Sequence, residues 1–161
     1  MTGTDRLARI EARLQSLEDE RDITRLILSY GPLVDSGDAD GVAGLWTDDG
    51  FYDVDTLRMD GRAQIAAMVR SAPHRAWIEG GCAHLSGPPH VVVDGDRAVA
   101  VCHSLLVVHG DGGFRVQRAT ANRWDLCRTS DGWKVAERTG RVLDGREVSP
   151  ALLHAGVRAE R

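Results

Sequence analysis

Hydrophobic residues at the start of the chain recur at the spacing of an α-helix. The first such positions are Leu7, Ile10, Leu14 and Leu17, and after a polar stretch the pattern continues at Ile23, Leu26, Ile27 and Tyr30. Because residues three or four apart share one face of a helix, the pattern predicts a helix over residues 5–30. The first four positions also resemble a coiled-coil seam, although two heptads are too few to establish one. The alternative is an amphipathic helix that lies on the domain or on a neighbouring subunit.

Glycine and proline interrupt the chain after this helix. Gly31-Pro32 is predicted to bend or end it, because proline lacks a backbone donor. The elements predicted next are a short helix at 41–46 capped by Asp38 or Asp40, a turn at 47–50, a strand at 51–55 and a helix at 62–71. Residues 72–90 are rich in proline and glycine, and we expect a loop there with one short strand around His84.

The second half of the chain has the pattern of an antiparallel sheet. Strands are predicted near 90–94, 97–109, 114–128 and 132–143, separated by turn sequences such as Asp94-Gly95. Three helices ahead of a strongly bent, mostly antiparallel sheet predict an α+β domain whose helices cover one sheet face and close a pocket. We expect one domain over residues 1–145 and a C-terminal tail over residues 146–161, with a short helix around 151–155.

Alternation along the strands predicts where polar groups lie. Thr120 and Asn122 share one face of their strand with Arg118 and Trp124, because side chains alternate between the two faces. A polar pair beside an aromatic residue is typical of a pocket with a few orienting groups. A satisfied polar pair in the interior and an outward-facing strand surface remain alternatives.

Composition argues against several classes of function. The net charge of −4 gives no basic surface for nucleic acid, and no apolar run is long enough to span a bilayer. The first residues lack the basic-then-apolar pattern of a signal peptide, so a cytoplasmic protein is expected. Three cysteines without a CxxC motif predict buried thiols instead of a disulfide framework. Cys82 and the histidines match no zinc-ligand spacing, so no metal site is expected.

Two short segments carry the strongest candidate chemistry. Asp35 ends the segment Tyr30-Gly-Pro-Leu-Val-Asp35, and His84 ends the segment Gly80-Gly-Cys-Ala-His84. An aspartate that orients a histidine makes a general base near neutral pH. Taken singly, Asp35 could be a helix-end residue and His84 a loop histidine, so the pairing depends on a fold that brings them together.

A resemblance to a known family joins these segments. Five stretches of the chain, in their order, resemble the SnoaL-like branch of the NTF2-like superfamily over about residues 10–145. They are the first helix, LVDSGDADGVAGLWTDDGFY, GRAQIAAMV, HLSGPPHVVVDGDRAVA and DGWKVAERTGRV. The resemblance implies a cone-shaped α+β barrel in which a bent sheet wraps around a helix and leaves a deep pocket. The chain is similar to the scytalone dehydratase, bile-acid 7α-dehydratase and hexachlorocyclohexane dehydrochlorinase families, which use an Asp–His dyad and form trimers.

The resemblance also assigns roles to individual residues. The catalytic pair falls on Asp35 and His84. The substrate-binding residues that it implies are Tyr30, Tyr52, Val54, His103, His109, Thr120, Asn122 and Arg138. Val54 stands where the two dehydratases have a tyrosine, and Tyr52 lies two residues earlier on the same strand face. Tyr30 and Asp35 lie about 140° apart on an ideal helix, so a bend near Pro32 would be needed to aim both into one cavity.

The function that the resemblance implies is a cofactor-independent lyase. It would dehydrate a hydrophobic cyclic molecule such as a polyketide or a steroid-like compound, or catalyse a related elimination or isomerisation. A non-catalytic module that binds a small molecule, and a partner subunit of the kind found in dioxygenases, are the alternatives. We expect a homo-oligomer, either a trimer or a dimer, with neither nucleic acid nor membrane as a partner.

Overall fold

A curved seven-stranded sheet forms the body of the protein in the computed structural model, which describes residues 3–160. The strands are β1 (Trp46–Val54), β2 (Leu57–Asp60), β3 (Cys82–Ser86), β4 (His90–Asp94), β5 (Arg97–Gly110), β6 (Gly113–Thr129) and β7 (Gly132–Val142). The helices are α1 (Gly3–Asp35), α2 (Ala39–Ala43), α3 (Gly61–Arg70), α4 (Ala72–Gly80) and α5 (Val148–Val157). No helix within residues 3–160 has the length and apolar character needed to cross a membrane.

The sheet is mostly antiparallel, as the sequence predicts. Its strand order is β2-β1-β7-β6-β5-β3, and β4 pairs with the remaining part of β5. The pairing of β1 with β7 is parallel, whereas the other pairings are antiparallel. The register of β5 against β6 shifts between Leu106 and Val107, and such a bulge bends a strand and increases its twist. The predicted α+β class is therefore confirmed.

The second half of α1 lies against the sheet. Its buried residues from this half are Ile23, Ile27, Tyr30, Gly31 and Val34, spaced so that they share one face of the helix. Of the two outcomes predicted at Gly31-Pro32, a bend or an end, the helix does not end there: it passes through Pro32 and continues to Asp35. Proline removes one backbone donor, and the packed face around it holds the last turn in place.

Three aromatic rings form the centre of the core next to this helix. The ring centroid of Tyr30 lies 6.1 Å from that of Trp46 and 6.0 Å from that of Trp124, in both cases edge to face. Trp46 and Trp124 are fully buried. Edge-to-face pairs are a favoured aromatic geometry, so this cluster fixes Tyr30 in one position on the sheet.

Two other segments differ from the sequence prediction. Residues 47–50, predicted as a turn, belong to β1, which shifts register against β7 between Trp46 and Phe51. The first half of the loop predicted at 72–90 is helix α4, which has Pro73 in its first turn and is capped by the Ser71 hydroxyl. Proline is well tolerated in the first turn of a helix, so in this place it marks a helix start.

Helix α5 packs on β5 and β6. A Cβ atom added to Gly156 would overlap the side chain of Val101, so glycine allows the close approach of this helix to β5. Ser149, near the start of the helix, is also buried. The tail predicted for residues 146–161 thus contains a helix that covers part of the sheet.

Asp19 ties the middle of α1 to the ends of β6 and β7. Its carboxylate accepts two hydrogen bonds from the Arg128 guanidinium, at 2.8 and 2.7 Å, and one from the Trp133 indole at 3.1 Å. Gln15 donates a fourth at 3.0 Å. The hydrogen bonds from Arg128 are the main reason that the pKa of Asp19 is lowered to about 2, against the opposing effect of burial.

Acid should weaken this attachment. Because the folded-state pKa of Asp19 lies below the ordinary value of 3.8, its contribution is fully present above about pH 4 and is lost as the pH falls through about 2. We expect Asp19→Asn to lower the free energy of unfolding at neutral pH by about 1–2 kcal/mol and to flatten its fall below pH 4. Urea unfolding at neutral pH and below pH 4 measures the free energy of unfolding of this variant, and Asp49→Asn, at an exposed position, is the control. Equal pH profiles for the two variants would contradict the assignment.

Candidate active site

A cavity of about 400 Å³ lies between the helices and the sheet. Its apolar wall includes Val54, Leu57, Met59, Met68, Trp77 and Leu106. Its polar groups include Tyr30, Tyr52, His84, Thr120, Asn122 and Arg138, which come from α1, β1, β3, β6 and β7. An apolar cavity of this volume with a few convergent polar groups is typical of a small-molecule site.

The last residue of α1 and the third residue of β3 form a hydrogen-bonded pair beside this cavity. One oxygen of the Asp35 carboxylate, Oδ1, lies 2.5 Å from Nδ1 of His84, and the other, Oδ2, accepts the backbone N–H of His84 at 2.7 Å. The two side chains are 22% and 20% exposed, respectively. Two bonds to one residue fix both the carboxylate and the plane of the imidazole ring.

Asp35 remains a carboxylate near neutral pH. Burial raises the pKa of Asp35, but the hydrogen bonds from the ring and backbone of His84 outweigh it and the net shift is downward. An ionised carboxylate only accepts hydrogen bonds, so Nδ1 of His84 carries the proton and Nε2 carries the lone pair of the neutral ring. Within residues 3–160 Nε2 has no hydrogen-bond partner. It is therefore free to take a proton from a ligand.

Gly31 explains how α1 comes close enough to β3 for this pair to form. A Cβ atom at position 31 would overlap the backbone carbonyl oxygen of His84. Glycine has no side chain at this crossing, and the helix therefore lies directly on the backbone of the residue that it must position. One turn further along the helix, Asp35 reaches the ring of the same residue.

Replacement of Gly31 by alanine should disturb the pair. In a helix alanine is favoured over glycine by about 1 kcal/mol, but here the added methyl group has no space and must push β3 away. We expect Gly31→Ala to lower the free energy of unfolding by about 1–3 kcal/mol, measured by denaturant unfolding. The control is Gly80→Ala, because a Cβ atom there meets nothing within 4 Å. A Gly31→Ala protein as stable as the wild type would show that the approach is not close.

Arg138 is a buried cation in the wall of the cavity. It is 3% exposed, and its Nε and Nη2 atoms donate to Oδ1 of Asn122 at 3.2 and 2.8 Å. Its guanidinium carbon lies 4.1, 4.4 and 4.0 Å from the ring centroids of Tyr30, Tyr52 and Trp124. These ring faces attract a cation, and they offset part of the cost of burying it.

The guanidinium of Arg138 has unused binding capacity. Its Nη1 atom is buried without a hydrogen-bond partner, and no carboxylate of residues 3–160 forms an ion pair with it. The neighbouring Arg118 differs, because it pairs with Asp55 and donates to the Thr120 hydroxyl at 2.9 Å. A buried, unpaired charge is costly, so the site is complementary to a ligand with a negative or strongly polarised oxygen.

Tyr30 connects the two charged parts of the site. Its ring lies edge-on to the His84 ring, with 6.3 Å between centroids, and its face contacts Arg138. Burial raises the pKa of Tyr30, and Arg138 opposes the shift only in part. The phenol therefore stays protonated and can donate a hydrogen bond.

The structure brings most of the predicted site residues together. The cavity is lined by Tyr30, Tyr52, Val54, His84, Thr120, Asn122 and Arg138. Asp35 lies behind His84 and reaches it from outside the cavity lining, so the bend near Pro32 that would aim both Tyr30 and Asp35 into one cavity is not needed. The roles of these residues stay predictions.

His103 and His109 are not part of this cavity. Ser104 pairs with Thr120 of β6 and lines the cavity. His103 pairs with Ala121, and its side chain is exposed on the opposite face of the sheet. His109 is exposed near the end of β5, with its ring 5.1 Å from that of Phe114. Their placement does not support the substrate-binding role that the resemblance implied, because side chains alternate along the strand.

His74 is a cavity residue that the sequence analysis missed. Its ring is stacked on that of His84 at 5.6 Å, and its Nε2 atom lies 3.4 Å from the Val34 carbonyl oxygen. Burial lowers the pKa of His74, so the ring stays neutral and does not repel a proton on His84. The sequence feature that could have placed His74 on a helix is Pro73, because proline is favoured in the first turn of a helix.

Cys82 completes a small group of potential metal ligands. Ligand atoms of Asp35, Cys82 and His84 lie within 4.8 Å of one another. The thiol, however, donates to Asp35 at 3.5 Å, and burial together with the Asp35 charge raises the pKa of Cys82 to about 11. A protonated thiol is a poor metal ligand, and the donor set fits the hydrogen-bonded pair better than a metal centre.

Comparisons with known proteins extend over the whole site. A family model described as the SnoaL-like domain matches residues 15–139, a range that contains every predicted site residue. An NTF2-like protein with a cystatin-like fold from Novosphingobium aromaticivorans is 45% identical, with a TM-score of 0.91 and coverage of 94% of this chain and 99% of that one. None of the curated proteins compared with the chain matches it.

Two further solved structures are more distant. A protein of unknown function from Mycobacterium tuberculosis is 21% identical, with a TM-score of 0.69 and coverage of 85% of this chain and 92% of that one. A second Novosphingobium aromaticivorans protein, named as a proposed aromatic ring hydroxylase, is 25% identical, with a TM-score of 0.63 and coverage of 79% and 90%. These neighbours share the curved α+β fold described above.

Proposed function

Because the chain belongs to the SnoaL-like domain family, we propose that it is a cofactor-independent lyase that acts on a hydrophobic cyclic small molecule. The family is of the small-molecule-binding or isomerase and dehydratase type. The observation that carries the proposal is the Asp35–His84 pair at the wall of an apolar cavity, with Nε2 of His84 left without a partner. The reaction is a dehydration, a related elimination or an isomerisation.

His84 acts as the general base. Its Nε2 atom takes a proton from a carbon atom of the substrate, either α to a carbonyl group or β to a leaving group. The electron pair of the broken C–H bond moves into an enolate or a new double bond, and in an elimination the leaving group departs with its own bonding pair. Asp35 stabilises the imidazolium that forms, as a carboxylate hydrogen-bonded to Nδ1 does.

Negative charge that develops on the substrate oxygen is stabilised by Arg138 and its neighbours. Arg138 and Tyr30 both line the cavity, so the guanidinium charge and the Tyr30 hydroxyl can act on that oxygen. The Thr120 hydroxyl accepts from Arg118, so its own proton is free for the ligand. Donors already fixed in a water-poor site are the most effective kind.

Asn122 contributes in a different way from the one the resemblance implies. Its Oδ1 accepts from Arg138, and its Nδ2 donates to the Ser104 hydroxyl at 2.8 Å. Both ends of the amide are engaged, so Asn122 positions the guanidinium and does not itself need to touch the substrate.

The proposal can be tested without knowing the natural substrate. The probe is 5-nitrobenzisoxazole, a bicyclic carbon acid whose ring C–H bond gives its proton to a base while the N–O bond breaks, leaving a nitrile and a coloured phenolate. We expect the protein to open this ring faster than an equal concentration of free imidazole. The name of one relative, a proposed aromatic ring hydroxylase, is a further reason to begin with aromatic rings. If the protein binds the probe without converting it, the alternative function as a binding module is favoured.

A further inference from the structure

The first half of α1 carries an apolar stripe that the domain does not cover. Residues 3–17 are exposed along their whole length, and the buried residues of the helix begin at Asp19. The stripe consists of Leu7, Ile10, Leu14 and Leu17, whose exposed fractions lie between 51% and 64%. At 1.5 Å per residue this segment is about 22 Å long.

The direction of the stripe shows that a small bend of α1 could not bury it in the domain. On an ideal helix its centre lies about 160° from that of the buried face that begins at Asp19 and continues through Ile23 and Ile27. The exposed leucines therefore face away from the sheet. Nothing in the part of the chain that the structure describes covers them, so any cover comes from another molecule.

The charges beside the stripe indicate what that cover is. With Leu7 and Leu14 at heptad position a, and Ile10 and Leu17 at position d, the g positions are Arg6 and Arg13 and the e positions are Glu11 and Glu18. In a parallel coiled coil each g residue meets the following e residue of the other helix. Every such pair here joins an arginine to a glutamate.

An antiparallel arrangement would have the opposite effect. It places g beside g and e beside e, so that arginine would face arginine and glutamate would face glutamate. We propose that residues 5–18 of α1 bind the same segment of a second copy of this chain, in parallel, as a short coiled coil. This interaction is independent of the proposed catalytic function.

The mass of the full chain in solution tests the proposal, by analytical ultracentrifugation over a range of concentrations. We expect at least twice the chain mass of 17.5 kDa for the wild type. Leu14→Glu places a charge in the seam and is expected to raise the dissociation constant at least tenfold. Ala12→Glu is the matched control, because it places the same charge on the opposite side of the helix. A monomeric wild type, or an association that Leu14→Glu does not weaken, would overturn the proposal.

Charge reversal tests the orientation. Arg6→Glu together with Arg13→Glu sets glutamate against glutamate in a parallel pair and should weaken the association. Adding Glu11→Arg and Glu18→Arg to the same chain restores opposite charges and should restore the mass. In an antiparallel pair like charges still face each other after either change, so the repulsion stays the same, and an unchanged mass in the double variant would contradict the parallel arrangement.

Discussion

Replacement of His84 by glutamine is expected to slow the ring opening of 5-nitrobenzisoxazole by about 10²–10⁴-fold, the usual contribution of a general base. Glutamine keeps much of the volume of histidine, and the backbone N–H of residue 84 still donates to Asp35, so the fold should be retained. The loss arises because the amide has no basic nitrogen to replace Nε2.

The control for this variant is His90→Gln. His90 is exposed on β4 and does not line the cavity, so the rate should equal that of the wild type. The far-ultraviolet circular dichroism spectrum shows whether each variant is folded. A folded His84→Gln protein with an undiminished rate would mean that another group takes the proton.

Arg138→Met is expected to lower the same rate by about 10²–10³-fold, as the loss of one oxyanion donor does. Among residues 3–160, Arg138 is the only buried cation beside the cavity that has no carboxylate partner. The variant removes this positive charge from beside the phenolate that forms from the probe. The exposed Arg115→Met is the control. An Arg138→Lys protein keeps the charge but not the forked guanidinium that binds Asn122, and its rate of ring opening should lie between those of the wild type and Arg138→Met.

The stability of Arg138→Met separates a functional role from a structural one. Removal of an unpaired buried charge favours the folded state, whereas Asn122 Oδ1, which is fully buried, loses its donors at a cost of about 1–3 kcal/mol. The double variant Arg138→Met/Asn122→Leu removes both groups and should be more stable than Arg138→Met alone. If Arg138→Met instead unfolds the protein and adding Asn122→Leu does not restore its stability, the role of Arg138 is structural.

Local signals in the sequence predicted the sheet better than the helices around it. The strands β4 to β7 are separated by short glycine-containing turns, which are encoded by the residues of the turn themselves. The four-residue strand β2 was missed because the turn at Asp55-Thr56, which joins it to β1, contains no glycine. The bulge in β1 was missed because it depends on pairing with the distant strand β7. A contact between distant residues leaves little trace in a local pattern.

In the candidate site, too, some features could be predicted from the sequence and others depend on contacts between distant residues. The resemblance supplied Asp35 and His84, and their residue types explain the chemistry once they are in contact. That Arg138 has no carboxylate partner could not be predicted, because it depends on which acid each arginine reaches. Arg118 pairs with Asp55 and Arg141 with Asp53, and no acid of residues 3–160 forms an ion pair with Arg138.

The most direct test of the account is the tautomer of His84, measured by ¹⁵N NMR of the ring nitrogens in protein labelled at histidine. We predict that the neutral ring carries its proton on Nδ1, bonded to Asp35, and that Nε2 is unprotonated. In Asp35→Asn this preference should weaken or reverse. A neutral His84 with its proton on Nε2 in the wild-type protein would contradict the account, because the nitrogen proposed as the base would then have no lone pair to offer.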